Sequence, residues 1–162
     1  MSGLREASAT GRTGAAEVGR VAEVLGGPGV LKRTLKDPLD AHDLLLKGLP
    51  GMALVFLVDS VALLRDPALL EKAVGVSLRT LQRRRGERAK RLSQEQSGRA
   101  WKFAEILAKA TAVLGARAEA EQWLERPAIG LDGRRPIDLL ATPAGVEILE
   151  DHLERLDYGV YT

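Results

Sequence analysis

The chain has 162 residues, with 24 Lys and Arg against 22 Asp and Glu and a formal net charge of +2. That length suits one ordinary domain or two small ones sharing a core, and 45% hydrophobic residues exclude a globally disordered chain. The absence of cysteine excludes disulfides, thiol nucleophiles and thiolate metal sites, and His42 and His152 alone are too few for a histidine-rich metal or relay site.

Residues from Met1 to about Gly19 are rich in Ser, Ala, Gly, Thr and Arg, and read as a disordered N-terminal tail. Val18, Val21, Val24 and Leu25 then suggest a short helix, broken at Gly26-Gly27-Pro28-Gly29, with a second short helix from Val30. Lys32 behind these glycines invites a phosphate-loop reading. The spacing does not fit that motif and no strand precedes it, so the segment is read as a turn. Asp37-Pro38 is a cap followed by proline at the first helical position, predicting a helix to about Lys47 that stops at Gly48-Leu49-Pro50-Gly51. Met52 to Leu64 is apolar on every side except at Asp59 and Ser60, which predicts a buried central helix. Its uninterrupted apolar run, Met52 to Val58, is too short to cross a bilayer. With no charged-then-apolar segment at the start, the expectation is a cytoplasmic protein that does not engage a membrane.

Asp66-Pro67 repeats the start signal and opens a helix to Val74. Gly75 breaks it, and Ser77 caps a further helix from Leu78 to Arg85. Ser93 and Gln96 form a capping box for a long helix to about Leu114, ended by Gly115. Helices are also predicted over Ala118 to Leu124, Pro136 to Leu140, and Thr142-Pro143 to about Leu156, with a turn-rich connector at Ile129 to Pro136. No strand signal survives, and the aromatic content of 4% leaves a core of Leu, Val and Ala. The predicted fold is all-α.

The stretch Leu69 to Arg85 resembles a helix-turn-helix: a short helix, a tight turn at glycine, and a helix starting at serine. Leu70, Ala73, Val74, Val76 and Leu81 can face inward and set the interhelical angle. The second helix presents Ser77, Arg79, Thr80, Gln82, Arg83 and Arg84, the candidate DNA-binding residues. Hydroxyls and amides at a helix start suit phosphates, and Arg and Gln suit the edges of guanine and adenine in the major groove. Glu71 stands where such motifs usually hold alanine. Either it points away, or the two helices pack differently from the usual arrangement. The competing reading is a solvated basic face without a partner.

The C-terminal half carries Trp123-Leu124, then Pro127, Asp132-Gly133, Pro136-Ile137-Asp138-Leu139-Leu140, Thr142-Pro143-Ala144-Gly145-Val146 and Tyr158-Gly159-Val160. In number and order these motifs resemble the Xre/MbcA/ParS-type antitoxins of bacterial toxin–antitoxin pairs. The resemblance covers roughly Gly48 to Thr162 and includes the segment Arg79 to Arg84. It implies a cytoplasmic helical protein whose partner is a RES-domain toxin that consumes NAD or ADP-ribosylates a host target. It further implies neutralisation by a C-terminal region that covers the toxin's active-site cleft. Operator binding through the helix-turn-helix, autorepression, and a homodimer that forms a hetero-oligomer with the toxin are also implied. The matching tail, Asp157, Tyr158, Gly159, Val160, Tyr161 and Thr162, becomes the candidate toxin-binding segment.

The residues agree with that role on their own terms. Val146, Leu149, Leu153 and Leu156 form one apolar stripe on the last helix, leaving its acids on other faces. Thr142 to Thr162 holds five acids and one base, Arg155. A cleft that binds NAD offers positive groups to the pyrophosphate, so an acidic tail tipped with Tyr158 and Tyr161 suits it. The competing reading has Tyr158 covering the core and the last residues fraying. Trp123, and similarly Trp101, are read as core residues.

The expected division is a tail over 1–19, a helical region over 20–92 with the helix-turn-helix at about 67–85, and a toxin-binding domain over 93–162. No catalytic, cofactor or metal residues are expected, since no nucleophile stands with a base and no His or Cys cluster exists. The alternative function is a stand-alone helix-turn-helix regulator with a C-terminal domain that senses a partner or ligand. Charge resolved by region favours two surfaces. Residues 1–78 hold nine bases and nine acids, residues 79–118 eleven and three, and residues 119–162 four and ten. The near-neutral total is the cancellation of a basic segment and an acidic one.

Overall fold

The computed structural model describes residues 14–159, and three of its helices, α3, α5 and α7 as numbered below, both begin at a side-chain cap and stop at glycine. The first helix, α1, covers residues 14–24. Gly26, at φ 106°, turns the chain into α2 (Gly27–Leu31). In α3 (Pro38–Lys47) the Asp37 carboxylate accepts the Asp40 N–H at 2.9 Å. Next come α4 (Gly51–Ser60), a 3₁₀ turn at Ala62–Arg65, α5 (Pro67–Val74) and α6 (Leu78–Gly86). The long α7 (Gln94–Leu114) opens on the full capping box of Ser93 and Gln96. It is followed by α8 (Arg117–Glu125), a 3₁₀ turn at Ile129–Leu131, α9 (Pro136–Leu139) and α10 (Pro143–Asp157). Among the described residues the fold is all-α. The sole extended pairing there is one antiparallel bridge between Pro50 and Arg91. None of the described helices is long and apolar enough to cross a membrane.

Three predicted boundaries need correction. The tail expected to reach Gly19 is shorter, because residues 14–19 already belong to α1. Val18, Val21, Ala22 and Leu25 are buried at helical spacing, and that stripe outweighs the Gly- and Ala-rich composition. Residues 1–13 lie outside the described set. The second short helix starts at Gly27 rather than Val30, with Pro28 accommodated in its first turn, where no N–H is required. The helix expected to run to Leu64 ends at Ser60. There the Ser60 hydroxyl donates to the Phe56 carbonyl at 2.7 Å, Val61 is extended, and the chain re-enters a 3₁₀ turn. This break keeps Val61, Leu63 and Leu64 buried while leaving Asp59 and Ser60 in solvent.

The interior is one continuous cluster from Val18 to Leu153. Its centre is α4, which buries Ala53, Leu54, Val55, Leu57 and Val58, together with α7, which buries Ala100, Phe103, Ala104, Ile106, Leu107 and Ala110. Helix α4 packs against α2 and α6, while α7 packs against α3, α5, α8 and α10. The long helix therefore joins the basic segment to the acidic one.

Candidate functional site

Helices α5 and α6 meet across a three-residue turn. Gly75 ends α5 in the left-handed region at φ 70° and donates its N–H to the Glu71 carbonyl at 2.9 Å. Ser77 then caps α6, its hydroxyl oxygen accepting the Thr80 N–H at 3.1 Å. Leu70, Ala73, Val74, Val76 and Leu81 are all buried between and beneath the two helices. Glu71 is exposed, so its carboxylate points away and the inward positions are filled as expected.

The candidate DNA-binding residues do not all share one surface. Arg79, Gln82 and Arg83 lie at helical spacing on the solvent face of α6, and all three are exposed. Ser77 is exposed, but its hydroxyl is committed to the cap. Thr80 is half-buried and accepts a long hydrogen bond from Arg83 at 3.4 Å. Arg84 turns inward against α4: its Nε is buried without a partner, and its Cδ would lie 3.1 Å from any Cβ placed on Gly51. The neighbouring Arg85 pairs with Asp59 through both nitrogens, at 2.8 and 3.3 Å, and holds that carboxyl below its usual range. The outward basic surface of α6 is thus Arg79 and Arg83.

Beside it lies a loop, residues 87–92, that reading by local pattern missed. Arg88 and Lys90 are exposed, while their backbone docks on the start of α4. Pro50 gives α4 no side-chain cap. Instead the Gly51 N–H donates to the Lys90 carbonyl at 2.9 Å, and the Met52 N–H donates to the Arg88 carbonyl at 3.0 Å. The Leu92 N–H donates to the Leu49 carbonyl at 2.8 Å, and the Arg91 guanidinium donates to the Gly48 carbonyl at 2.6 Å. A Cβ on Gly48 would strike the Leu92 carbonyl, so glycine is required there for close approach as well as for its φ of 95°. The glycine pair flanking Leu49-Pro50 was the available signal.

The second half of the candidate site is built on α9 and α10. Asp138 receives Lys72 of α5 at 2.7 Å and Arg135 at 3.0 Å, and Arg135 first, then Lys72, holds its carboxyl below the usual range. Arg99 lies over Gly75 and donates to the carbonyls of Lys72, at 2.6 Å, and Leu140, at 3.4 Å. Lys102 on α7 bridges Glu105 at 2.7 Å and Glu150 of α10 at 3.0 Å. Exposed pairs of this kind contribute at most about 1 kcal/mol each. Their effect is to set where α9 and α10 sit relative to α5 and α7.

Val146, Leu149, Leu153 and Leu156 hold α10 on the core as its stripe predicts. Trp123 is half-buried rather than fully enclosed, and its ring stacks on His152 at 6.2 Å and 9°. His152 is buried, with Nδ1 unpartnered; burial, then the charge of Arg155, lowers its pKa from the usual histidine value. Trp101 is buried, and its Nε1–H donates to Glu105 at 3.3 Å.

Beyond α10 the chain leaves the core. Tyr158 is 81% exposed, which overturns the reading in which it covers the interior. Asp157 and Gly159 are exposed too, and Val160, Tyr161 and Thr162 lie outside the described residues. Two further apolar side chains of this half stand in solvent, Ile129 at 91% and Ile148 at 49%. Among the described residues no three His, Cys, Asp or Glu side chains gather as metal ligands would.

Comparison with known proteins gives concordant findings. Residues 109–159 match the family described as the antitoxin Xre/MbcA/ParS C-terminal toxin-binding domain. The chain is 34% identical over 84 residues to the antitoxin Xre of Pseudomonas putida, covering 52% of this chain and 52% of that protein. It is 32% identical over 111 residues to the antitoxin Xre of Yersinia enterocolitica, covering 67% of this chain and 74% of that protein. It therefore spans about half the length of one relative and about three quarters of the other.

Proposed function

The chain belongs to the Xre/MbcA/ParS-type antitoxins, and from that premise we propose that it neutralises a RES-domain toxin by covering its active-site cleft. That toxin is an NAD-consuming or ADP-ribosylating enzyme; this chain is a regulator and not itself an enzyme. The observation that carries the proposal is the exposed Tyr158 at the end of a well-anchored acidic helix. An aromatic side chain presented without cover is the kind of group that anchors protein interfaces at small entropic cost. The acids around it suit a cleft that binds a pyrophosphate.

Neutralisation is tested by co-expressing the toxin encoded beside this gene, with the full chain and with a chain lacking Tyr158 to Thr162. The shortened chain should fail to rescue growth while retaining promoter binding. Rescue by it would defeat the cleft-covering mechanism.

The same proposal assigns operator binding and autorepression to α5 and α6, in the cytoplasm and as a homodimer assembled with toxin. The support is the outward pair Arg79 and Arg83, with Gln82 between them and the Arg88–Lys90 loop alongside. On this reading residues 20–92 serve DNA and residues 93–162 serve the toxin.

A further inference from the structure

Asp59 is the second-last residue of α4, where the negative end of the helix dipole disfavours an acid. Its side chain and that of Arg85 are both open to solvent, at 57% and 40% exposure. Arg85 of α6 donates to both carboxylate oxygens, at 2.8 and 3.3 Å. Arg65 of the 3₁₀ turn donates to the Asp59 carbonyl at 2.7 Å. The charges of Arg65 and of Arg88, in the loop after α6, add to the positive field on the carboxyl. Three guanidiniums from three segments thus converge on one acid. An ion pair this exposed adds little stability, so the fold alone gives no reason for an acid here.

We propose that Asp59 stands in for a DNA phosphate: it holds Arg85 in reserve, and a duplex must displace it to recruit that arginine. The inference rests on the operator binding proposed above and adds a residue that limits it. Arg85 follows Gln82 by three residues and so lies one turn further along α6, on the flank of its outward face. The fork of a guanidinium fits carboxylate and phosphate oxygens alike, through the same pair of parallel bonds. While Asp59 occupies the fork, a phosphate gains Arg85 only by breaking that pair, and it meets a like charge on arrival. Without the carboxylate, Arg85 neutralises a phosphate and releases its counterion. Phosphate contacts carry no sequence information. Asp59 therefore trims the affinity common to all duplexes and leaves discrimination to base contacts from Arg79, Gln82 and Arg83.

Fluorescence anisotropy of the full chain tests the proposal, on its own promoter duplex and on a random duplex of equal length, over a range of salt. Asp59→Ala should bind both duplexes about tenfold more tightly than wild type at about 100 mM salt, with a salt slope steeper by about one unit. Asp59→Glu keeps the carboxylate and should stay within about twofold of wild type. Arg85→Ala should change wild type by about twofold at most, yet remove most of the gain from Asp59→Ala when the two are combined. Both side chains are exposed, so melting curves should be unchanged and affinity is separable from folding. Binding by wild type with no gain in Asp59→Ala, or a gain that survives Arg85→Ala, overturns the role of Asp59 while leaving operator binding standing. Failure of wild type and every variant to bind either duplex overturns both.

Discussion

Replacing Gly145 with alanine gives a sharp test of how α9 and α10 are joined. Gly145 lies in the first turn of α10, buried, its N–H donating to the Thr142 hydroxyl at 3.0 Å. A Cβ there would strike the backbone carbonyl of Leu139, which no rotamer change can move aside. Helix propensity alone would favour alanine by up to about 1 kcal/mol. Overpacking costs about 1–3 kcal/mol, and an unyielding backbone obstacle places this case at the upper end. The net expectation is a loss of roughly 2 kcal/mol, or a fall of roughly 4–8 °C in Tm for a chain of this size. Gly98→Ala is the matched control, since Gly98 lies inside α7 with nothing within 4 Å of its missing Cβ. It should raise Tm by roughly 2–4 °C. Thermal unfolding followed by circular dichroism measures both. If Gly145→Ala melts at or above wild type, the close crossing of α9 and α10 is wrong.

Arg79→Ala and Arg83→Ala should each weaken operator binding, and the salt slope should fall by about one unit for every phosphate the arginine neutralises; gel-shift titrations with unchanged affinity and slope would refute the basic face. Ser97→Ala should cost about 1–3 kcal/mol in urea unfolding, because the buried Ser97 hydroxyl accepts the Leu49 N–H at 2.8 Å and alanine leaves that donor unpaired; a loss below about 0.5 kcal/mol would show the donor finds another partner. His152 has a lowered pKa in the fold, so the unfolded ring binds protons more readily. Its contribution is fully present above the unfolded value of 6.5 and is lost as pH falls below it. Urea midpoints should drop from pH 7.5 to pH 5.5 in wild type by more than in His152→Phe, which keeps a ring on Trp123; parallel profiles would refute this.

Much of the architecture is legible in the sequence because helix starts are local events. Asp37-Pro38, Asp66-Pro67, Ser93 and Thr142-Pro143 each carry their cap within a few residues, and each opens a helix where expected. What escapes depends on partners distant in sequence. The Ser60 break follows from a choice between burying Val61 and continuing α4, which periodicity alone does not rank. Arg84 looks equivalent to Arg83 as one letter in a basic run, yet one helical step turns it onto Gly51. Asp138 is visible as part of a motif, but its pairing with Lys72, 66 positions earlier in the chain, is not. The acidic character of residues 119–162 is easier to read, because segregated charge is a property of composition and does not depend on packing.

The docking of residues 87–92 has an evolutionary consequence. Three of the four bonds that hold this loop to the start of α4 are made entirely by main-chain atoms, and the fourth ends on one. Positions 88 and 90 can therefore exchange one side chain for another without moving the loop, while insertion or deletion of a single residue would unseat it. Drift here should run through substitutions at constant length. Related chains could then change the charge and shape of this edge while inheriting the same scaffold.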